Sequence, residues 1–161
     1  MSYDKAERIR YELAGGVVVQ FGAAGETVGY TYKGPKGKRG YVRDIEVRVT
    51  EDMVGTTAVP EVVVGSALST CDGSTSVLYK EYARFRLGTT AILGYLTTTA
   101  IRRALALCNL AAPPRLSDFT EHVRLETAYI PADTIFYVTL VEGIGGSETG
   151  AGMVAVEIDW F

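Results

Sequence analysis

Apolar and polar residues alternate with a period of two along much of this chain. The clearest run is "YVRDIEVRVTED", where Ile45, Val47 and Val49 alternate with Asp44, Glu46 and Arg48. That spacing places the two sets on opposite faces of a half-buried strand. "VLYKEYARFRL" repeats the pattern, with Val77, Tyr79, Ala83, Phe85 and Leu87 on one face and Lys80, Arg84 and Arg86, with Tyr82, on the other. In "MVAVEIDWF", Val154, Val156, Ile158 and Trp160 face one way, and Met153, Ala155, Glu157 and Asp159 the other. "VGYTY" (28–32), "EVVVGSAL" behind Pro60 and "VRLETAYI" (123–130) read as shorter strands. "TIFYVTLVEG" (134–143) is apolar on both faces, which predicts a strand in the middle of a sheet or under another layer. "YELAGGVVVQFG" reads as a strand interrupted at Gly15-Gly16, where a bulge is expected.

Between these runs the chain carries turn chemistry, as in "STCDGSTS" (69–76) and "GIGGSETGAG" (143–152). The stretch Thr90 to Leu110 supports two readings: its threonines favour strand, and Ala104 to Leu107 favour helix. Pro113-Pro114 ends it, and "SDFTEH" offers one short helical turn with Asp118 and Glu121 in capping-box spacing. Residues 1–10 are expected to form an N-terminal arm and residues 11–161 a single domain. The chain contains no internal repeat, linker or sustained heptad. Roughly eight or nine short strands separated by turns predict an all-β fold. The expected architecture is a jelly-roll or Greek-key β-sandwich of about eight strands with one short helix.

Composition sharpens this picture. The 161 residues suffice for one domain with a real core, and 47% apolar with 22% charged residues is ordinary globular usage. A formal net charge of −3 disfavours general nucleic-acid binding, which draws on a summed positive field. Cys71 and Cys108 stand outside any CxxC or Cys/His ligand pattern and fit free thiols in a reducing compartment, with one disulfide left open. The polar opening "MSYDKAERIR" lacks a signal-peptide layout, and no apolar run reaches membrane-spanning length. The expectation is a protein made and kept in a cytoplasm unless it is exported with a partner or released by lysis.

The densest basic stretch is "YKGPKGKRGY", Tyr32 to Tyr41, with four cations among three glycines and one proline. A phosphate-cradling loop needs GxxxxGK[ST] between a strand and a helix. Here Tyr32 stands where the first glycine belongs, Arg39 replaces Ser or Thr, and a strand is expected to follow. Tyr30, Tyr32 and Tyr41 flank the loop at strand spacing and are expected to pack rather than to stack on bases. The reading that remains is a strand-connecting loop or hairpin whose cations meet solvent or an acidic partner protein. Gly143 and Gly145 begin a dinucleotide-like pattern, but Glu148 breaks it and a strand follows.

His122 is the single histidine, so a histidine-dependent mechanism would have to use it with Ser117, Asp118 or Cys108. A polar histidine after a helical turn is the plainer reading. Metal-ligand spacings are absent. The aromatic end Trp160-Phe161 needs cover from its own core or from a neighbour.

Four features together carry a family resemblance: "GYTYKGPKGKRGYVRDIEV", "ARFRLGTTAILGY", "LSDFTEHVRLETAYIPADT" and the glycine-rich loop before the Trp-Phe end. From about Gly29 to Phe161 the chain resembles small virion proteins of tailed bacteriophages, the capsid cement or decoration proteins, which are built on a jelly-roll-like sandwich. The resemblance implies a structural protein rather than an enzyme, without cofactor or metal. Its partner would be the major capsid protein, with self-association as a dimer or trimer and no nucleic acid or membrane. It would sit on the outside of a capsid assembled in the host cytoplasm and bridge capsomers of the expanded head through many modest contacts. The contact candidates are Lys33, Lys36, Lys38 and Arg39 of the basic loop, Gly145 and Gly146 of the glycine-rich loop, Arg102, Arg103, Trp160 and Phe161. The alternatives are another virion part, at the head–tail junction or in the tail, or a glycan-binding β-sandwich.

Overall fold

The alternating segments form strands because their apolar halves find two-sided cover while their polar halves stay wet. In the computed structural model, residues 6–21, 28–51, 60–67, 80–87, 94–97, 123–125, 129–141 and 150–161 are described. Their strands are β1 (Glu7–Glu12), β2 (Val19–Gln20), β3 (Val28–Lys33), β4 (Gly40–Glu51), β5 (Glu61–Gly65), β6 (Glu81–Arg86), β7 (Gly94–Thr97), β8 (Val123–Leu125), β9 (Ile135–Val141) and β10 (Ala151–Trp160).

Two five-stranded antiparallel sheets result, one ordered β1-β10-β4-β7 with β2 also on β10, the other β3-β9-β5-β6-β8. The topology follows from folding the chain into one long ribbon and rolling it. The ribbon pairs are β1 and β2 with β10, β3 with β9, β4 with β7, and β5 with β6. Rolling then brings β10 onto β4 and β9 onto β5. Counting β1 and β2 as one position and setting β8 aside, eight strands make the roll, which is the jelly-roll arrangement expected of the sequence.

The core lies between the sheets. Ile45, Val47, Val154, Val156, Ile158 and Trp160 come from one sheet, and Val62, Val64, Phe85, Phe136, Val138 and Leu140 from the other. The centre of the second sheet is covered on both faces, since Val63 and Thr139 on its far side are also buried. This bears out the two-sided reading of β9.

Several expectations need correction. Residues 7–10 of the expected N-terminal arm belong to β1, pairing in register from Glu7 with Trp160 to Glu12 with Ala155. The Gly15-Gly16 interruption is a 3₁₀ turn, Leu13–Gly16, after which β2 rejoins the same partner strand at Gly152 and Ala151. Ala14, Gly15 and Gly16 all have positive φ there, which drives the excursion. Tyr82 does not share the exposure of the cations on β6 but is buried in the core cluster. Val64 pairs with Ala83 and Gly65 with Glu81, so Tyr82 is the extra residue of a bulge. Within the ambiguous stretch Thr90 to Leu110, Gly94–Thr97 is strand, paired to β4. The rest of that stretch and the short helix at Asp118 to Glu121 lie outside the described residues, as do His122 and both cysteines.

Trp160 is the largest fully buried side chain. Its ring lies directly on Gly34 and Gly40, where a Cβ would overlap it. We expect Trp160→Ala to cost about 3–5 kcal/mol through the cavity it leaves. Gly34→Ala should cost about 1–3 kcal/mol by overpacking. Urea unfolding of each variant against the parent protein measures both.

Candidate docking site

The basic loop is a crossover rather than a hairpin. It leaves β3 in one sheet and enters β4 in the other, capping one end of the sandwich. A strand follows it, so the strand–loop–helix geometry of a phosphate cradle is absent here.

The loop is built to hold one shape. Lys38 N–H donates to the Pro35 carbonyl at 3.3 Å, closing a four-residue turn. Gly37 takes φ +73° at the position where a type II turn requires it. Gly37 N–H also donates to Asp133 Oδ1 at 3.0 Å. Further on, Arg39 and Phe161 exchange backbone hydrogen bonds of 3.1 and 3.0 Å, and Gly40 and Ile130 exchange bonds of 2.9 and 2.8 Å. The loop is therefore clamped between the C-terminal residues and the segment before β9.

Two aromatic groups meet at this end. The inner one joins the sheets: Tyr11, Tyr32, Phe136 and Trp160 lie with ring centroids 5.2 to 6.5 Å apart, Tyr11 edge-on to Phe136 at 87°. Tyr32 donates a long hydrogen bond of 3.4 Å to the Glu12 carbonyl across the same seam. The outer group is wet. Tyr129 lies 5.8 Å from Tyr41 and 6.4 Å from Phe161, and the Arg39 guanidinium sits 4.6 Å above the Tyr129 ring. Tyr129 is 41% and Phe161 50% exposed, and Ile135, paired with Lys33, is 49% exposed.

The fate of each contact candidate is then plain. Lys33, Lys36 and Arg39 are exposed. Lys38 is half-buried and pairs with Glu7 at 2.8 Å. Phe161 is half in solvent, but Trp160 must be withdrawn as a contact residue. At 1% exposure it is covered by its own core, the first of the two covers its sequence allowed. Arg102, Arg103, Gly145 and Gly146 lie outside the described residues. Tyr129 and Ile135 were missed, because the period-two pattern of a strand does not mark which residues at its ends stay exposed.

The carboxylates of β10 are accounted for by their neighbours. Arg8 reaches Asp159 at 2.8 Å, and Arg10 reaches Glu46, Glu12 and Glu157. Glu157 and Asp159 thus form cross-strand ion pairs with β1. A depression of about 230 Å³ beside them, under the 3₁₀ turn, is lined by Arg10, Glu12, Gly16, Glu46, Arg48 and Met153. Arg10 in its lining already donates to Glu12 and to Glu46.

The chain matches no protein-family model, and no curated protein or solved structure is significantly similar to it.

Burial raises the pKa of the Tyr11, Tyr32 and Tyr82 phenols above 10.0. For Tyr11 the nearby Trp160 indole acts in the opposite direction, although the indole N–H itself is left without a hydrogen bond of good geometry. A phenol that ionises later when folded contributes stability that is complete below the unfolded pKa. That contribution is lost as pH rises, since the unfolded chain gives up its proton first. Stability should hold up to about pH 10 and fall above it. Tyr32→Phe should lessen the fall, as read from urea midpoints at stepped pH alongside tyrosinate absorbance.

Proposed function

We propose that this protein is a structural virion component, a cement protein that binds the outside of a tailed-phage capsid and bridges neighbouring capsomers. The observation that carries the reading is the end surface just described. A clamped basic loop and exposed aromatic rings sit on a jelly roll whose interior is filled with side chains. Such a surface suits binding to another protein rather than enclosing a small molecule. The sequence resemblance points the same way, and the jelly roll agrees with it.

Capsid binding of this kind needs no single strong contact. A protein that self-associates as a dimer or trimer presents several equal surfaces to a lattice that repeats the same partner, here the major capsid protein. Weak contacts then add through effective concentration. A rigid docking surface keeps the ordering cost of each contact low.

Quantitative mass spectrometry of purified virions tests the reading by copy number relative to the major capsid protein. A ratio on the order of one copy per few capsid subunits, as lattice symmetry requires, is the expected result. A handful of copies would move the protein to a vertex or the tail, and complete absence would overturn the proposal.

A further inference from the structure

Resting on the virion reading, we infer that the end surface formed by Arg39, Tyr41, Tyr129 and Phe161, rimmed by Lys33 and Lys36, docks an extended acidic segment of the partner protein. An aliphatic or aromatic side chain of that segment seats on the Tyr129 and Phe161 rings.

The sign of the partner follows from local charge. The chain as a whole carries −3, yet this end is cationic. Among the described residues, Lys33, Lys36 and Arg39 have no carboxylate partner. Two carboxylates reach the loop: Glu7 pairs with Lys38, and Asp133, which accepts from Gly37 N–H, keeps its charge. Elsewhere the arginines of β1 and β6 are matched within the fold, Arg8 and Arg10 on one sheet and Arg84 and Arg86 on the other. The end surface thus gathers three exposed cations with no ion pair among the described residues, side by side with exposed rings.

The apolar element follows from the rings. Isolated exposed side chains are normal on a protein surface, but contiguous ones mark contact sites. Tyr41, Tyr129 and Phe161 touch in series, and Arg39 sits over the middle ring. A guanidinium above a ring still presents N–H donors at its rim, in the fork that fits a carboxylate. Rigid aromatics flanked by arginine are the residues that dominate protein interfaces. The backbone bonds of Arg39 with Phe161 and of Gly40 with Ile130 hold these groups in place before any partner arrives.

The test uses the full chain and three probes: a dodecapeptide alternating Asp or Glu with Leu and Phe, its Lys-for-acid counterpart, and single-stranded oligothymidine. Titration followed by NMR should give saturable shifts at Arg39, Tyr129 and Phe161 with the acidic peptide only, weakening as salt is raised. The double variant Lys36→Glu/Arg39→Glu and the single variant Phe161→Ser should each weaken binding by about tenfold or more while melting like the parent. Equal binding of the basic peptide, or no binding of any peptide, overturns the inference, and binding of oligothymidine alone would assign the surface to phosphate.

The same variants, added to particles stripped of the protein, separate this inference from the function it rests on. If the parent protein rebinds and the charge-reversed variant rebinds equally well, the docking surface is wrong and the virion role stands. If virions lack the parent protein but the acidic peptide still binds, the docking surface stands and the virion role falls.

Discussion

The position of one indole ring decides how this chain closes. Trp160 ends β10, and its ring rests on the bare backbone of Gly34 in the sheet-crossing loop and of Gly40 at the start of β4. No side chain fits between them, so the loop can close only over this ring. The contact joins the last residues of the chain to its first third, and Tyr11 and Phe136 complete the cluster from β1 and β9. Closing so long a loop costs entropy, but that cost grows only slowly with length. It is met once, when β10 enters the sheet between β1 and β4, and the whole roll then shares the benefit. The ring's Nε1–H has no hydrogen bond of good geometry, only the Tyr11 phenol nearby; a buried donor left wholly unpaired costs about 1–3 kcal/mol. The cluster tolerates it because a tryptophan side chain buries more apolar area than any alternative at that position.

The charged faces of the sheets follow a different rule. Each outer face is laced by arginines set opposite carboxylates on neighbouring strands, Arg8 with Asp159 and Arg86 with Glu61 among them. The more exposed pairs, such as Arg8 with Asp159, contribute about 0–1 kcal/mol each, so they do not hold the fold together. What they do is use up charge. Glu61 is nearly buried and is shared by Arg84 and Arg86, so its carboxylate offers little to any outside group. A sheet face with its charges matched internally is a poor recognition surface. The end with Lys33, Lys36 and Arg39 is a better one, because its cations have no such match among the described residues.

Much of the fold was legible because period two is a property of the pleat itself. Ile45, Val47 and Val49 point inward as read, and so do Val154, Val156, Ile158 and Trp160. Where the face of a strand residue was misread, the cause is a break in that period. On β4, Glu157 pairs with Asp44 but Ile158 with Val42, so Arg43 is an extra residue, and the bulge lets Val42 and Ile45 both face the core. The same event buries Tyr82 on β6. A bulge leaves only a faint trace in sequence, an apolar residue out of phase, which looks the same as an exposed one. The sequence of the basic loop leaves its topology open between a hairpin and a strand-connecting loop, and the fold makes it a crossover between the two sheets. Gly, Pro and cations announce a turn, but nothing in ten residues says whether the next strand pairs with the last one or crosses to the other sheet. The aromatic rings beside the loop were harder still, since Tyr129 and Phe161 come together only through the roll.

That distinction between hairpin and crossover matters for what the surface can do. A hairpin tip projects from one sheet and is free to flex, so a partner must pay to order it. A crossover is tied at both ends to different sheets, and here it is also bonded along its length, to Asp133, Ile130 and Phe161. The sequence elements that meet in it are far apart in the chain, and only the closed roll brings them together. The surface therefore exists only when the protein is folded, and its shape is as stable as the Trp160 contact beneath it. The glycines that admit the indole from below let the loop close over it, and the loop's cations and the neighbouring Tyr129 and Phe161 rings stay exposed on the outer side.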